Sequence, residues 1–289
     1  MKVDVQGLVV RYGEVTAIDD LSFSLAENKI YGLLGRNGSG KSTLMSVLAA
    51  FREPTAGTVL VDGEPVFENG RATSRICLVQ HGVDPADKGD RLKDALALAG
   101  VFRESWDAEY AERLMDLFGL PHTKKLGRLS LGQRSAFGVV VGLASRAPLT
   151  MFDESHLGMD TPTRYAFYDA LLSDFMATPR TIVLSTHLIE ELAALLEEVV
   201  IIDSGRLVLH EETEAVRSRG TSVTGPAGLV DRFVEGLTVL DQKQLGPTKS
   251  AVVYGALDRD AAGAEGLELG PIPLQDLFVH LTETAGETR

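Results

Sequence analysis

The stretch GRNGSGKST, Gly35 to Thr43, sets three glycines, Gly35, Gly38 and Gly40, ahead of Lys41 and the hydroxyls Ser42 and Thr43. Small residues, Asn37 and Ser39 among them, let backbone N–H groups curl around phosphate oxygens. The stretch fits G-x-x-x-x-G-K-[ST] and lies between an apolar run, Ile30–Leu34, and a helix expected over Ser42–Ala50, the context a phosphate-binding loop requires. The helix N-terminus adds a positive dipole end. Lys41 can reach the β- and γ-phosphates of a nucleotide, and Ser42 offers its hydroxyl to Mg²⁺.

Three further strands end in residues able to act on such a phosphate. APLTMFDES ends in two carboxylates. Asp153 suits a Mg²⁺-bound water, and Glu154 suits proton acceptance from an attacking water. TIVLSTH ends in His187 and ICLVQ in Gln80, both at carboxyl strand edges, where open α/β sheets bind ligands. Taken alone, His187 reads as a surface histidine and Gln80 carries no information. The cluster LSLGQR, Leu129–Arg134, opens a helix with Ser130 as its N-cap. Capping accounts for Ser130 by itself; with phosphate at this helix end, Ser130 and the Gly132 N–H become anion ligands, for a molecule other than the one at Lys41.

The elements that must position these residues alternate. Strands are expected over Val3–Val10, Ala17–Leu25, Ile30–Leu34, Gly57–Val61, Pro65–Phe67, Ile76–Val79, Pro148–Phe152, Thr181–Ser185 and Val199–Asp203. Helices are expected over Leu131–Ser145, Thr163–Met176 and Leu188–Leu196. This is a mostly parallel sheet covered by helices. From about Pro85 to Arg128 the texture is helical, with Arg91–Phe102 and Trp106–Leu120 as expected helices. After about Ser218 a second α+β unit of ferredoxin-like order begins, its helices expected over Pro226–Glu235 and Leu274–Glu283.

The chain has 289 residues, 44% hydrophobic and 24% charged, ordinary for a globular protein with one main domain and an appendage. A net charge of −13 argues against a nucleic-acid or anionic-lipid surface. Cys77 is the single cysteine, which excludes an internal disulfide. The first residues show no charged leader with an apolar stretch, and the longest apolar run, Ala136–Ala144, is far short of the ~20 residues of a spanning helix. A cytoplasmic location is expected, with any membrane span provided by another polypeptide.

In this order the motifs resemble those of the ATP-binding subunits of ABC transporters. Gly35–Ser42 resembles the Walker A motif, Gln80 the Q-loop, LSLGQ the signature, MFDE the Walker B motif, Leu157–Asp160 the D-loop and His187 the switch histidine. Tyr12 sits where the family stacks an aromatic on adenine. The likeness runs from Val3 to about Leu209, and the stretch from Gly142 to about Glu211 is similar to the Ytr-type branch, bacterial ATPases paired with ABC-2-type, exporter-like membrane subunits. Two positions depart from the pattern. Leu131 replaces a glycine, where a side chain either crowds the nucleotide or points outward. Ser155 replaces a proline, which is expected to loosen the turn.

The resemblance implies a P-loop ATPase fold with an antiparallel β subdomain, a helical subdomain over about 85–146, an ATPase domain over 1–217 and an accessory domain over 218–289. It implies ATP and Mg²⁺ as cofactors, Mg²⁺ held by Ser42, Gln80 and, through water, Asp153. Two ATPase chains, identical or different, would meet head to tail, each ATP lying between the Gly35–Ser42 loop of one and Ser130–Gln133 of the other, with Thr43, Gly132 and Gln133 among the nucleotide-binding residues. Glu154 would polarise the water and His187 would contact the γ-phosphate. A separate ABC-2-like permease would dock near Gln80–Arg91 and hold the chain at the inner membrane face. The alternative is a non-transport ATPase of the same family acting on ribosomes or nucleic acid, against which stand the acidity and the single ATPase core.

Overall fold

The computed structural model describes residues 1–80, 89–258, 262–263 and 266–287. The expected docking stretch Gln80–Arg91 falls mostly on 81–88, outside the described residues, as does the start of the helical stretch at 85. The chain divides into two compact units, Met1–His187 with Ile202–Leu207, and Leu188–Ile201 with Val208–Arg289.

The first unit opens with β1 (Val3–Tyr12) and β2 (Val15–Leu25), then β3 (Ile30–Leu34), α1 (Lys41–Leu48), β4 (Ala56–Val61), β5 (Glu64–Pro65), α2 (Gly70–Thr73) and β6 (Ile76–Gln80). Helices α3 (Leu92–Val101), α4 (Ala108–Leu117) and α5 (Leu131–Ala144) follow, then β7 (Leu149–Asp153), α6 (Thr161–Ala177) and β8 (Thr181–Ser185). An antiparallel sheet takes the order β2-β1-β4-β5, and its period-2 burial along β1 leaves one face for the core. The parallel strands run β3-β8-β7-β6. Every residue of β3, β7 and β8 is buried, as expected of parallel strands covered on both faces. Helix α5 backs directly onto this sheet. A Cβ at Gly142 would lie 2.6 Å from the Phe152 ring, so the small residue sets how closely helix and sheet approach.

Helix α4 starts two residues later than Trp106, because Asp107 caps it by accepting from the Tyr110 N–H at 2.8 Å. Asp107 also anchors a charge network. Arg146 Nη2 reaches Asp107 at 3.1 Å and its Nη1 pairs with Asp174 on α6, while Arg180 holds the other Asp174 oxygen at 2.5 Å. Asp174 and Arg180 are buried, and the Arg146 guanidinium lies 4.7 Å from the centre of the Tyr110 ring. Burial and the Asp174 charge push the Tyr110 hydroxyl up to about 12. This network ties the helical part to the sheet-covering helix α6.

The second unit holds α7 (Ile189–Leu192), most of β9 (Glu198–Asp203) and of β10 (Arg206–Glu212), and α8 (Thr213–Arg219). It continues through β11 (Gly220–Pro226), α9 (Ala227–Phe233), β12 (Thr238–Leu245), β13 (Thr248–Tyr254), β14 (Glu268–Pro271) and α10 (Leu274–Glu287). Its antiparallel sheet has the order β12-β13-β11-β14, in keeping with a ferredoxin-like strand order. Val223, Ala251 and Val253 pack with Val230 and Val234 of the α9 region to form its core. Helix α7 is shorter than the Leu188–Leu196 expected, since the chain turns at once with Leu195 N–H bonded to the Leu192 carbonyl. Helices α2 and α8 and strand β10 were not anticipated from the sequence.

Asp174→Asn should leave the buried Arg180 guanidinium, and in part the half-buried Arg146, under-compensated. Urea unfolding is expected to show a loss of about 3–5 kcal/mol, and an unchanged midpoint would show that the network does not brace α4 and α6.

Candidate active site

Strand register builds the site. Gln80 pairs with Asp153, Asp153 with Ser185, and Leu33 with Ser185, so the carboxyl ends of four adjacent parallel strands lie in one row. Neighbouring strands are about 4.8 Å apart. Residues that leave these strand ends therefore meet: Gly35 two after Leu33, Glu154 after Asp153, and His187 two after Ser185. Glu154 takes a positive φ of 50° while its N–H bonds the Ser185 carbonyl at 3.1 Å. A non-glycine residue held there is strained, and the neighbouring strand pins it.

Glu154 joins the loop in one cavity of 340 Å³, lined by Ala17, Asn37, Gly38, Ser39, Gly40, Lys41, Ser42, Thr43 and Glu154. Gly40 stands at the N-cap of α1 with φ 106°, and no side chain caps the helix. The N-terminal end of α1, uncapped by a side chain among the described residues, thus opens on the cavity, which suits an anion. A Cβ on Gly40 would fall 2.7 Å from both the Ala17 carbonyl and Ile18 Cδ1. The loop is clamped from behind: Lys41 Nζ donates to the carbonyls of Gly35 at 2.6 Å and Arg36 at 3.2 Å, and Gly205 N–H donates to the Ser39 carbonyl at 3.0 Å. Burial lowers the Lys41 ammonium's pKa, opposed by the charges of Glu154 and Asp153.

Asp153 is buried, and among the described residues its Oδ1 has no hydrogen-bond partner; the same holds for Ser185 Oγ beside it in register. A buried carboxylate oxygen left in this way fits a hydrated divalent cation. Gln80 donates from Nε2 to Ser46 Oγ at 3.3 Å, one turn along α1 from Ser42. His187 is 52% exposed, and its Nδ1 lies 2.7 Å from Glu154 Oε2.

Ser130, Gly132 and Gln133 lie apart from these residues. They line a second cleft of 210 Å³ with Phe118, Gly158, Met159 and Asp160. Ser130 Oγ accepts from the Gln133 N–H and Gln133 Oε1 accepts from the Ser130 N–H, both at 3.2 Å, a reciprocal cap on α5. Lys124 Nζ adds a 2.7 Å bond to Gln133 Oε1. Gly132 is required by contact, since a Cβ there would lie 2.3 Å from the Gly158 carbonyl. The side chain of Leu131 packs toward Gly158 and is 45% exposed, so it faces outward. Tyr12 does not line the first cavity; it is 47% exposed, with the Arg52 guanidinium 3.7 Å over its ring centre.

Sequence reasoning missed several participants. Ala17 and Gly205 brace the loop through backbone atoms, which leave no mark on residue type. Ser155 does not loosen its turn: buried, it donates from Oγ to the Val79 carbonyl at 3.2 Å and ties the end of β7 to β6. His156, 4% exposed, brings Nε2 to 3.5 Å from Glu154 Oε2. A histidine two residues past a strand-end glutamate was the available signal.

The family model described as ABC transporter matches residues 18–156. The chain is 28% identical over 226 residues to the doxorubicin resistance ATP-binding protein DrrA of Mycobacterium tuberculosis, an alignment covering 76% of this chain and 68% of that one. It is 30% identical over 220 residues to the Nod factor export ATP-binding protein I of Burkholderia lata, covering 74% and 72%. The chain belongs to the ATP-binding proteins of ABC transporters. A dimeric ATP-binding cassette, solved in a post-hydrolysis state with ADP and phosphate, shares the fold of this ABC protein at a TM-score of 0.63 and 20% identity, covering 73% of this chain and 98% of the cassette. The ABC protein is accordingly an ATP-binding ATPase with the P-loop fold expected.

Gly40→Ala meets both a forbidden φ and the Ala17 carbonyl. Fluorescent-nucleotide titration should show ATP affinity lowered at least about tenfold, the equivalent of a 1–2 kcal/mol left-handed penalty plus the clash. Unchanged affinity would mean that the loop does not need this approach to Ala17.

Proposed function

We propose that the chain is the energising subunit of an exporter-like transporter whose membrane-spanning part is a separate, ABC-2-like permease. One observation carries the reading. The phosphate loop and Glu154 share one cleft, while Ser130, Gly132 and Gln133 line another with no residue in common. If both groups touch one ATP, they must come from two chains set head to tail, either two copies of this chain or this chain and a second ATPase. The name of the Nod factor export protein supports the exporter-like reading. Among the described residues no helix is long and apolar enough to cross a membrane. The chain would then sit on the inner membrane face, held by that partner, with residues 1–217 as the ATPase domain and 218–289 as an accessory one.

The roles are those the family resemblance implies for these positions. Lys41 and the α1 N-terminus bind the β- and γ-phosphates, with Gly35, Asn37, Gly38, Ser39, Gly40 and Thr43 forming the loop around them. Tyr12 stacks on adenine. Glu154 takes the proton of the attacking water, and His187 contacts the γ-phosphate from the neighbouring strand end. Ser42, Gln80 and, through water, Asp153 would hold Mg²⁺, which supplies charge neutralisation at the phosphates. Ser130 and Gly132 donate to the phosphate of the partner's ATP, and Gln133 holds Ser130 in place through the reciprocal cap. Closure of the pair around ATP, and its release after hydrolysis, would drive the permease.

Glu154→Gln keeps the shape and removes the base. Steady-state hydrolysis is expected to fall about 100-fold or more, with ATP affinity within about threefold of the parent. Hydrolysis near the parent rate would remove Glu154 from its assigned role.

A further inference from the structure

Two imidazoles meet at one carboxylate oxygen. Glu154 Oε2 lies 2.7 Å from His187 Nδ1 and 3.5 Å from His156 Nε2, and the three ligand atoms all fall within 4.8 Å of one another. The rings of the two histidines stand 5.1 Å apart, tilted by 48°. We propose that Glu154, His156 and His187 form a binding site for a divalent transition-metal ion of the Zn²⁺ class, separate in its ligands from the Mg²⁺ site assigned to Ser42, Gln80 and Asp153.

The donor set decides the metal. Two imidazole nitrogens and one carboxylate oxygen suit Zn²⁺ and disfavour Mg²⁺, which prefers oxygen and retains its waters. Zinc bonds to nitrogen and oxygen are about 2.0–2.1 Å long, so tetrahedral ligand atoms stand about 3.3–3.4 Å apart. The Glu154–His156 separation already matches this. The Glu154–His187 separation is shorter, so the His187 ring must draw back from Glu154 by roughly 0.6 Å and settle about 3.3–3.4 Å from the His156 nitrogen, from which it now stands within 4.8 Å. Its exposure permits that movement and gives the ion a path in. His156 is buried and Glu154 is pinned by the Ser185 carbonyl, so two of the three ligands are held in advance. Three protein ligands and one side open to solvent is the arrangement of a zinc ion that keeps a water. Resting on the role proposed for Glu154, a metal here would occupy the oxygen that accepts the water's proton and would inhibit hydrolysis.

The test is calorimetric titration of the untagged, nucleotide-free full chain with zinc chloride, followed by X-ray absorption of the loaded protein. One Zn²⁺ per chain, with imidazole and carboxylate in its coordination shell, is the expected result. His156→Ala and His187→Ala should each weaken binding at least about tenfold. His187 is exposed, so its variant keeps the test open if the buried His156 change impairs folding. No binding by the parent, or binding that neither variant weakens, would overturn the site. With free Zn²⁺ buffered, hydrolysis by the parent should fall at least fivefold, and an uninhibited, zinc-loaded parent would overturn the inhibitory effect. A chain that binds Zn²⁺ as expected and never hydrolyses ATP would instead count against the ATPase roles assigned to Glu154 and His187.

Discussion

The approach of Gly40 to the Ala17 carbonyl is the constraint on which the site depends. It fixes where α1 begins, and so where the helix's unpaired N–H groups and Lys41 stand relative to the strand ends. The same loop is held at Ser39 by the Gly205 N–H and at Gly35 and Arg36 by Lys41 itself. The neutral bond from Gly205 contributes about 1 kcal/mol net, and the bonds donated by the Lys41 ammonium about 1.5–3 kcal/mol each. Together they hold the loop's backbone dipoles in one direction, and preorganised dipoles are what stabilise phosphate charge.

The parallel register does the rest. Because Gln80, Asp153 and Ser185 are level, chemistry-bearing residues from distant parts of the sequence gather along one edge without a dedicated structure to bring them there. Glu154 accepts backbone strain at this edge, and the Ser185 carbonyl together with the Ser155 bond to Val79 keeps it in place. The reciprocal cap at Ser130 gives the opposite case. Here local sequence alone builds a rigid helix start, and the cleft beside it contains no phosphate loop of its own.

Much of this was legible in the sequence, for identifiable reasons. The loop is contiguous, so glycine spacing and flanking elements define it. The strand ends were legible because apolar runs stop abruptly at Gln80, Asp153 and His187, and parallel strands place their carboxyl ends on one side. The capping role of Ser130 follows from residue type three positions before Gln133. What stayed hidden depends on through-space contacts. Ala17 and Gly205 act through backbone atoms. Ser155 looked like a missing proline, yet it is a tether between strands. The residue type of Leu131 does not say where its side chain goes, and its packing toward Gly158 is set by a glycine far along the chain. His156 is close in sequence to Glu154, but only the turn after β7 brings its ring to the same oxygen as His187.

The most direct test of the account is recovery of tagged Glu154→Gln from detergent-solubilised native cells with Mg-ATP, followed by mass spectrometry of what is bound. The account predicts a multi-spanning membrane protein in stoichiometric amount, and a second ATPase chain beside it if the pair is mixed. Recovery of ribosomes or nucleic acid with no membrane protein would contradict it.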